Sequence, residues 1–354
     1  MPRVSFSPPT LFLPLLERLL PSLPPTLPDM DVPPLFRQQF ILSGYRPVDL
    51  SWRCYVLSLF QLHNETLSVW SPLLAAVYML TRFLMFAVLQ GGGILGVRLQ
   101  GPEGQGFSVD ASSLPLVLYV FSAVTYLSCS AAVHLLRSEQ THHSLFYLEY
   151  VGVAVYQYGC ALALCLYSSD TAWTQSMLGQ IFLPVAAVAS WLSCVVCCYA
   201  ELHFHRPYPR LRRICQVVPM GVAYLLVINP VTHHLASHSW MNTSTPHLHF
   251  LQVALLLLSV FFFSCPVPEC FSPGRYDIIG HSHQLFHVLL SFCTLVQQEA
   301  LFDDFLWRRQ VLIREFGEER LLLACASFLG LTLCCVMTAL AMKRTHVQLL
   351  KEGR

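Results

Sequence analysis

The sequence predicts an all-α, polytopic membrane helix bundle, and three observations predict it. Hydrophobic side chains make up 55% of the 354 residues and charged ones 12%, about half the charged share of an average soluble domain. The apolar residues gather into runs long enough to cross a hydrocarbon core, which takes roughly 20 residues. Lysine and arginine collect between alternate runs, the bias that orients membrane bundles. A net charge of +1 gives no global field for nucleic acid, no nucleic-acid motif occurs, and no nucleic-acid partner is expected.

Residues 1–67 read as an N-terminal arm. Its first 30 residues are apolar but are broken by Pro8, Pro9, Pro14, Pro21, Pro24 and Pro25, which oppose a continuous helix. They imply a flexible arm with a short interfacial turn at 11–20, and no secretory signal peptide is evident. Eight candidate spans follow, at about 69–89, 114–136, 145–168, 181–200, 215–235, 247–265, 279–301 and 321–342. The third carries Glu149, the fifth Pro219 and Pro230, and the seventh several histidines. Such interruptions are tolerated where neighbouring helices re-satisfy the backbone. The spans imply one bundle: a seven-span core over 68–302, an extracellular loop over 303–320, an eighth span over 321–342 and a cytosolic tail over 343–354.

Charge sets the expected orientation. With eight spans, one side holds fifteen cations: Arg3, Arg18, Arg37, Arg46, Arg53, Arg137, Arg206, Arg210, Arg212, Arg213, Arg275, Lys343, Arg344, Lys351 and Arg354. The other side holds five, Arg98, Arg308, Arg309, Arg314 and Arg320, and Arg82 falls inside the first span. Both termini are therefore expected in the cytosol. The loop between the last two spans departs from the pattern, with four arginines against Asp303, Asp304, Glu315, Glu318 and Glu319. In this topology the Asn242-Thr243-Ser244 acceptor motif lies outside and predicts glycosylation at Asn242. Asn64-Glu65-Thr66 lies inside and stays unmodified. None of the fourteen cysteines falls in an expected outer loop, which argues against a disulfide framework. Cys194-Val195-Val196-Cys197-Cys198 reads as small packing residues in an apolar run.

Three histidines at membrane depth carry the functional expectation, because ionisable residues inside spans are costly and mark function by default. His134 lies near the inner end of the second span, and His283 and His287 open the seventh on the same side. Four residues apart, the latter two share a helix face. Together the three form a candidate zinc site with an open fourth position; three unrelated packed histidines are the bland alternative. Glu149 lies at a similar depth and could handle a proton or orient a ligand; Ser130 shares a face with His134, and Glu65 precedes the first span on the same side. His142, His143, His203 and His205 read as solvated or topology-setting, and His281 as facing elsewhere. His233 and His234 end the fifth span on the far side.

Several separated stretches resemble one family. They are Asp31-Val-Pro-Pro-Leu-Phe36, Ser43-Gly-Tyr-Arg-Pro47, His63-Asn-Glu65, Ser130-x3-His134, the run from Glu149 to Gly159, and Ser282-His-Gln-Leu-Phe-His287. Over about 31–342 the chain resembles the progestin and adipoQ receptors, and within them the membrane progestin receptors of the alpha/beta type. The resemblance implies that Ser130-x3-His134 and His283-x3-His287 are zinc-site segments. It also implies a plasma-membrane location, a progestin steroid as ligand, and a heterotrimeric G protein or another cytosolic signalling partner. Two departures stand out. Glu149 replaces the family's usual Asp, and Ser68 and Pro72 replace the Asn and His of a Glu-x2-Asn-x3-His motif.

Three functions follow as expectations. A receptor would seat a rigid apolar steroid between helices, among Phe146, Tyr150, Tyr156, Tyr158, Phe286 and Phe292, with Gln284 or Gln157 bonding its carbonyl. A zinc-dependent lipid amide hydrolase would use Glu149 as its proton-handling residue, with ceramide as candidate substrate. A purely structural metal site inside a receptor or adaptor is the third.

Overall fold

The computed structural model describes residues 23–90, 95–98, 106–139, 141–204, 210–236 and 246–352. The expected turn at 11–20, Asn242, His205 and Arg206 lie outside the described residues. A short helix, α1 (Trp52–Leu57), is capped by the Ser51 side chain on the Cys54 amide and leads to α2 (Thr66–Leu89). An antiparallel hairpin of β1 (Leu95–Arg98) and β2 (Gly106–Val109) joins α2 to α3 (Leu114–Leu135), which carries Pro115 in its first turn, where its missing amide is harmless. α4 (His142–Ala163) runs on through a wider turn at Leu164–Ser168. Next come α5 (Thr171–Gln175), capped by Asp170, and α6 (Met177–His203). They are followed by α7 (Arg210–Val227), α8 (Asn229–Ala236) and α9 (Pro246–Ser264). Two long helices close the chain, α10 (Ser282–Phe316) and α11 (Glu318–Glu352).

Seven of these helices are long and apolar enough to cross a membrane, and α7 with α8 makes an eighth crossing if the pair counts as one span. All eight predicted runs coincide with them. The chain is a multi-pass membrane protein built as a helix bundle. α7 and α8 meet at 44° across Ile228, where Pro230, in the first turn of α8, has no amide to return to α7.

α4 is the axis of the bundle, its apolar window buried along its whole length, with α3, α6 and α11 packed around it. Small residues allow that approach. A Cβ on Gly152 would sit 3.3 Å from the Tyr126 backbone, and one on Gly159 only 2.3 Å from the Ser122 hydroxyl. α11 lies on α4 and α6 more than on its chain neighbour α10. It is pinned there by Tyr158 to Ser327 at 2.6 Å and by the Trp191 indole donating to Thr338 at 3.1 Å.

The segment expected as a loop at 303–320 is helical. α10 continues to Phe316, and α11 starts at Glu318 after a single residue, Gly317, at φ 74°. The apolar run ends near Leu301, but Phe305 and Leu312 remain fully buried. Asp304 accepts from Ser168 and from His249, and Arg308 pairs with Glu315 at 3.1 Å. Hydropathy therefore marks where the apolar face stops, while the helix is carried on by polar pairing. Arg82, inside the first span, has a partner the sequence reading did not weigh: Glu299 on α10, at 2.8 Å.

Gly159→Val should lower the thermal stability of the detergent-solubilised protein by about 1–3 kcal/mol, the range for overpacking a close contact. Gly221→Ala, whose Cβ would meet nothing within 4 Å, should leave the melting temperature nearly unchanged.

Candidate metal and ligand site

The structure brings His134, His283 and His287 together. One ring nitrogen from each lies within 4.8 Å of the other two, and the ring centroids are 4.5–5.0 Å apart. His134 stands at the end of α3. His283 and His287 stand in the first two turns of α10, which begins after Gly280 turns the chain at φ 95°. Their Nε2 atoms are 3.2 Å apart. Two imidazole nitrogens on one tetrahedral zinc, each about 2.0–2.1 Å from the ion, would be roughly 3.3 Å apart.

Glu65 fixes the orientation of the first histidine. Its Oε2 is 2.9 Å from His134 Nδ1, which leaves His134 Nε2 for the cluster. A carboxylate behind a ligating imidazole is the arrangement that sets the tautomer and raises ligand basicity. The donor set therefore fits zinc. Glu65 is buried and also accepts from Gln38 Nε2 at 2.6 Å and from Arg137 at 3.4 Å. Burial alone would raise its carboxyl; the His134 ring and the Arg137 guanidinium outweigh that and hold it well below the usual carboxylate range. Neither Gln38 nor Arg137 was singled out from sequence, although Arg137 follows His134 by three residues.

The arm builds this environment. Val32, Phe36, Ile41 and Tyr45 form a small core of their own, and Arg137 lies over the Phe36 and Tyr45 rings. Arg46 is fully buried; it donates to Ser58 at 2.6 Å and to the His134 carbonyl at 2.7 Å, satisfying the end of α3. Burial and the neighbouring Arg137 push its pKa down to about 9. Asn64 is wholly buried. Its carbonyl accepts from His281 at 2.9 Å and from Gln284 at 2.8 Å, so both residues clamp the loop that presents Glu65.

A cavity of about 300 Å³ opens between the arm and the helices, at the lower end of the range for small-molecule sites. The three histidines and Glu149 line it, with Tyr150, Phe286 and Phe146 among its apolar walls. The Glu149 carboxylate lies beside the Ser130 hydroxyl and within electrostatic reach of His134. The two glutamines expected to meet a ligand sit elsewhere. Gln284 uses its amide on Asn64, Ile278 and Gly280, and Gln157 accepts from Ser193 at 2.8 Å between α4 and α6. Phe292 points outward, 55% exposed.

His142 and His143 are not solvated as expected. α4 begins at His142, and the arm's Phe36 packs on that ring at 4.8 Å. His143 bonds Glu201 at 2.9 Å. Glu201 is itself a carboxylate missed in sequence. It is buried and shared by Arg212, His143 and Tyr150, and its signal was an acid at the end of an apolar run with a basic segment eleven residues on.

The comparisons with known proteins agree with this architecture. Residues 60–298 match the family described as Haemolysin-III related, and the chain belongs to that family. It is similar to Membrane progestin receptor beta of Homo sapiens, at 46% identity over 92% of the chain and 89% of the relative. The Mus musculus beta protein is 45% identical over 92% and 89%. Membrane progestin receptor alpha of Homo sapiens is 42% identical over 81% and 79%. The resemblance read from the motifs is borne out by these relatives.

His63, two residues before Glu65, must stay neutral, because its Nδ1 accepts the Glu65 amide at 3.1 Å. Burial and the charge of Arg46 push its pKa down to about 3. In the unfolded chain a histidine titrates near 6.5, so between these values the unfolded state binds the extra proton. The stability His63 contributes is complete above about pH 6.5 and is lost as pH falls toward 3. His63→Asn, which keeps an acceptor without the titration, should lose less melting temperature than the wild type between pH 7.5 and 5.

Proposed function

We propose that this protein is a plasma-membrane steroid receptor that binds progestins in the cavity between its helices. The observation that carries the reading is the cavity itself: set inside the bundle, walled by aromatic and aliphatic side chains toward Tyr126 and Tyr224, with its charged groups gathered at the other end. Apolar walls suit a rigid fused-ring body, and polar groups at the ends suit its oxygens. The printed names of the relatives support the same ligand class. The lysine and arginine distribution supports placing the arm and the histidine end in the cytosol, facing a G protein or another signalling partner. The test is equilibrium binding of radiolabelled progesterone to purified protein. Saturable binding competed by unlabelled steroid is expected, and its absence would remove the steroid reading.

His134, His283 and His287 would hold a zinc ion, with Glu65 orienting His134. When bound, such an ion supplies a Lewis acid able to polarise a carbonyl oxygen. Glu149 on the same cavity wall keeps a second reading in view, hydrolysis of a lipid amide with Glu149 moving the proton. Elemental analysis should find about one zinc per chain in the wild type and none in His283→Ala/His287→Ala. Fatty-acid release from ceramide by the same two preparations separates hydrolysis from a structural or receptor-supporting ion: equal background release in both would exclude catalysis.

A further inference from the structure

Two tyrosines that the sequence reading passed over stand deeper in the cavity than the histidines. Tyr126 on α3 and Tyr224 on α7 both line it, and Tyr224 also lines a smaller pocket of about 20 Å³. Tyr126 comes eight residues before His134 on the same helix, about 12 Å of rise. Its ring is held in place by stacking on Tyr156, with centroids 5.3 Å apart and planes 12° apart. Tyr156 is fixed in turn by donating to Gln297 Oε1 at 2.8 Å. The two phenols lie within electrostatic reach of each other, and Tyr126 within reach of Glu149.

Hydrogen bonding sets this pair apart. Tyr119, Tyr150, Tyr156, Tyr158 and Tyr167, also in the bundle, each place their hydroxyl on a protein partner. Tyr126 and Tyr224 have none among the described residues. Tyr147, whose hydroxyl is likewise without a partner, is sealed in the protein and does not line the cavity. Tyr126 is buried and Tyr224 half-buried; interior phenols take a partner as a rule, so two such donors lining one cavity are arranged for something that enters it. Charge narrows what that is. The arginines of the cavity wall, Arg37, Arg137, Arg212 and Arg213, come from the arm, the end of α3 and the start of α7. At the level of Tyr126 the neighbouring carboxylate is Glu149, so an anionic head group is disfavoured there. A neutral oxygen with two lone pairs, such as a ketone, accepts from both phenols.

We propose that Tyr126 and Tyr224 form the inner polar subsite of the cavity, donating their phenolic hydrogens to a ketone oxygen at the buried end of an apolar ligand. The other end of the ligand faces the histidine cluster. This deepens the steroid reading and rests on it: the ligand class becomes a neutral ketosteroid, oriented ketone-inward.

The test uses full-length purified protein and four single variants or combinations: Tyr126→Phe, Tyr224→Phe, both together, and Tyr158→Phe as a control whose hydroxyl bonds Ser327 away from the cavity. Probes are progesterone and two analogues, each with one ketone replaced by a methylene. Each cavity variant should raise the progesterone Kd about tenfold, the scale of one lost hydrogen bond, while Tyr158→Phe leaves it unchanged. One of the two analogues should bind wild type and the double variant equally. Unchanged progesterone affinity in both cavity variants overturns the subsite and leaves the receptor reading standing. An equal loss in Tyr158→Phe also overturns it, since the effect would then be general to the bundle. No saturable binding to wild type removes the steroid reading and the subsite with it.

Discussion

The buried contact between Glu65 and His134 is the constraint on which the rest of this end of the molecule depends. A carboxylate out of water must be paired and hydrogen-bonded, and removing one partner of such a group is far costlier than never burying it. Here the partners come from separate parts of the chain: Gln38 from the arm, His134 from α3, and Arg137 from the connection to α4. The loop that carries Glu65 is held from a fourth direction, by Gln284 and His281 of the α10 start on the Asn64 carbonyl. Satisfying one carboxylate thus fixes the arm, α2, α3 and α10 relative to one another. It also sets the ring of His134 against His283 and His287.

That closure makes a cavity with unequal ends. Arginines, histidines and carboxylates crowd the end under the arm, where Arg46 and Arg137 are themselves bonded to backbone and aromatic faces. Further in, beyond Glu149, charge gives way to phenols and apolar side chains around Tyr126 and Tyr224, and Gln297 lines the smaller pocket that shares Tyr224. A ligand entering such a gradient is sorted by which of its ends can bear losing water, so orientation follows from the wall chemistry more than from shape.

Much of this was legible in the sequence. The spans were read from apolar run length, because burying or lipid-facing a helix demands apolar residues over its whole crossing. The histidine cluster was read by carrying topology through four intervening spans, since the depth of each residue follows from the direction of its helix. What could not be read was anything set by side-chain geometry across helices. Gln284 and Gln157 had the right chemistry and depth for a ligand, yet neither lines the cavity: Gln284 is spent on neighbouring backbone and the Gln157 oxygen on Ser193. His142 sat in a short polar connection, but the arm folds over it. The helix through 303–316 was hidden because its continuation rests on ion pairs and two buried side chains rather than on an apolar run.

The departures at Ser68 and Pro72 gain a physical meaning in this light. Both face inward on α2, one turn apart and buried, where the resembled motif would place an amide and an imidazole. Pro72 has no amide to return to Ser68's carbonyl, and the Ser68 hydroxyl has no protein partner among the described residues. This stretch of α2 therefore lends Glu65 no side-chain support. Gln38 and Arg137 supply it instead, the first from residues that hydropathy alone assigns to a polar tail. The arm is then a wall of the site, and the outer support of the histidine cluster has shifted from the first span to the chain that precedes it. Such a shift preserves the orientation of His134 with no residue of α2 in the cavity wall.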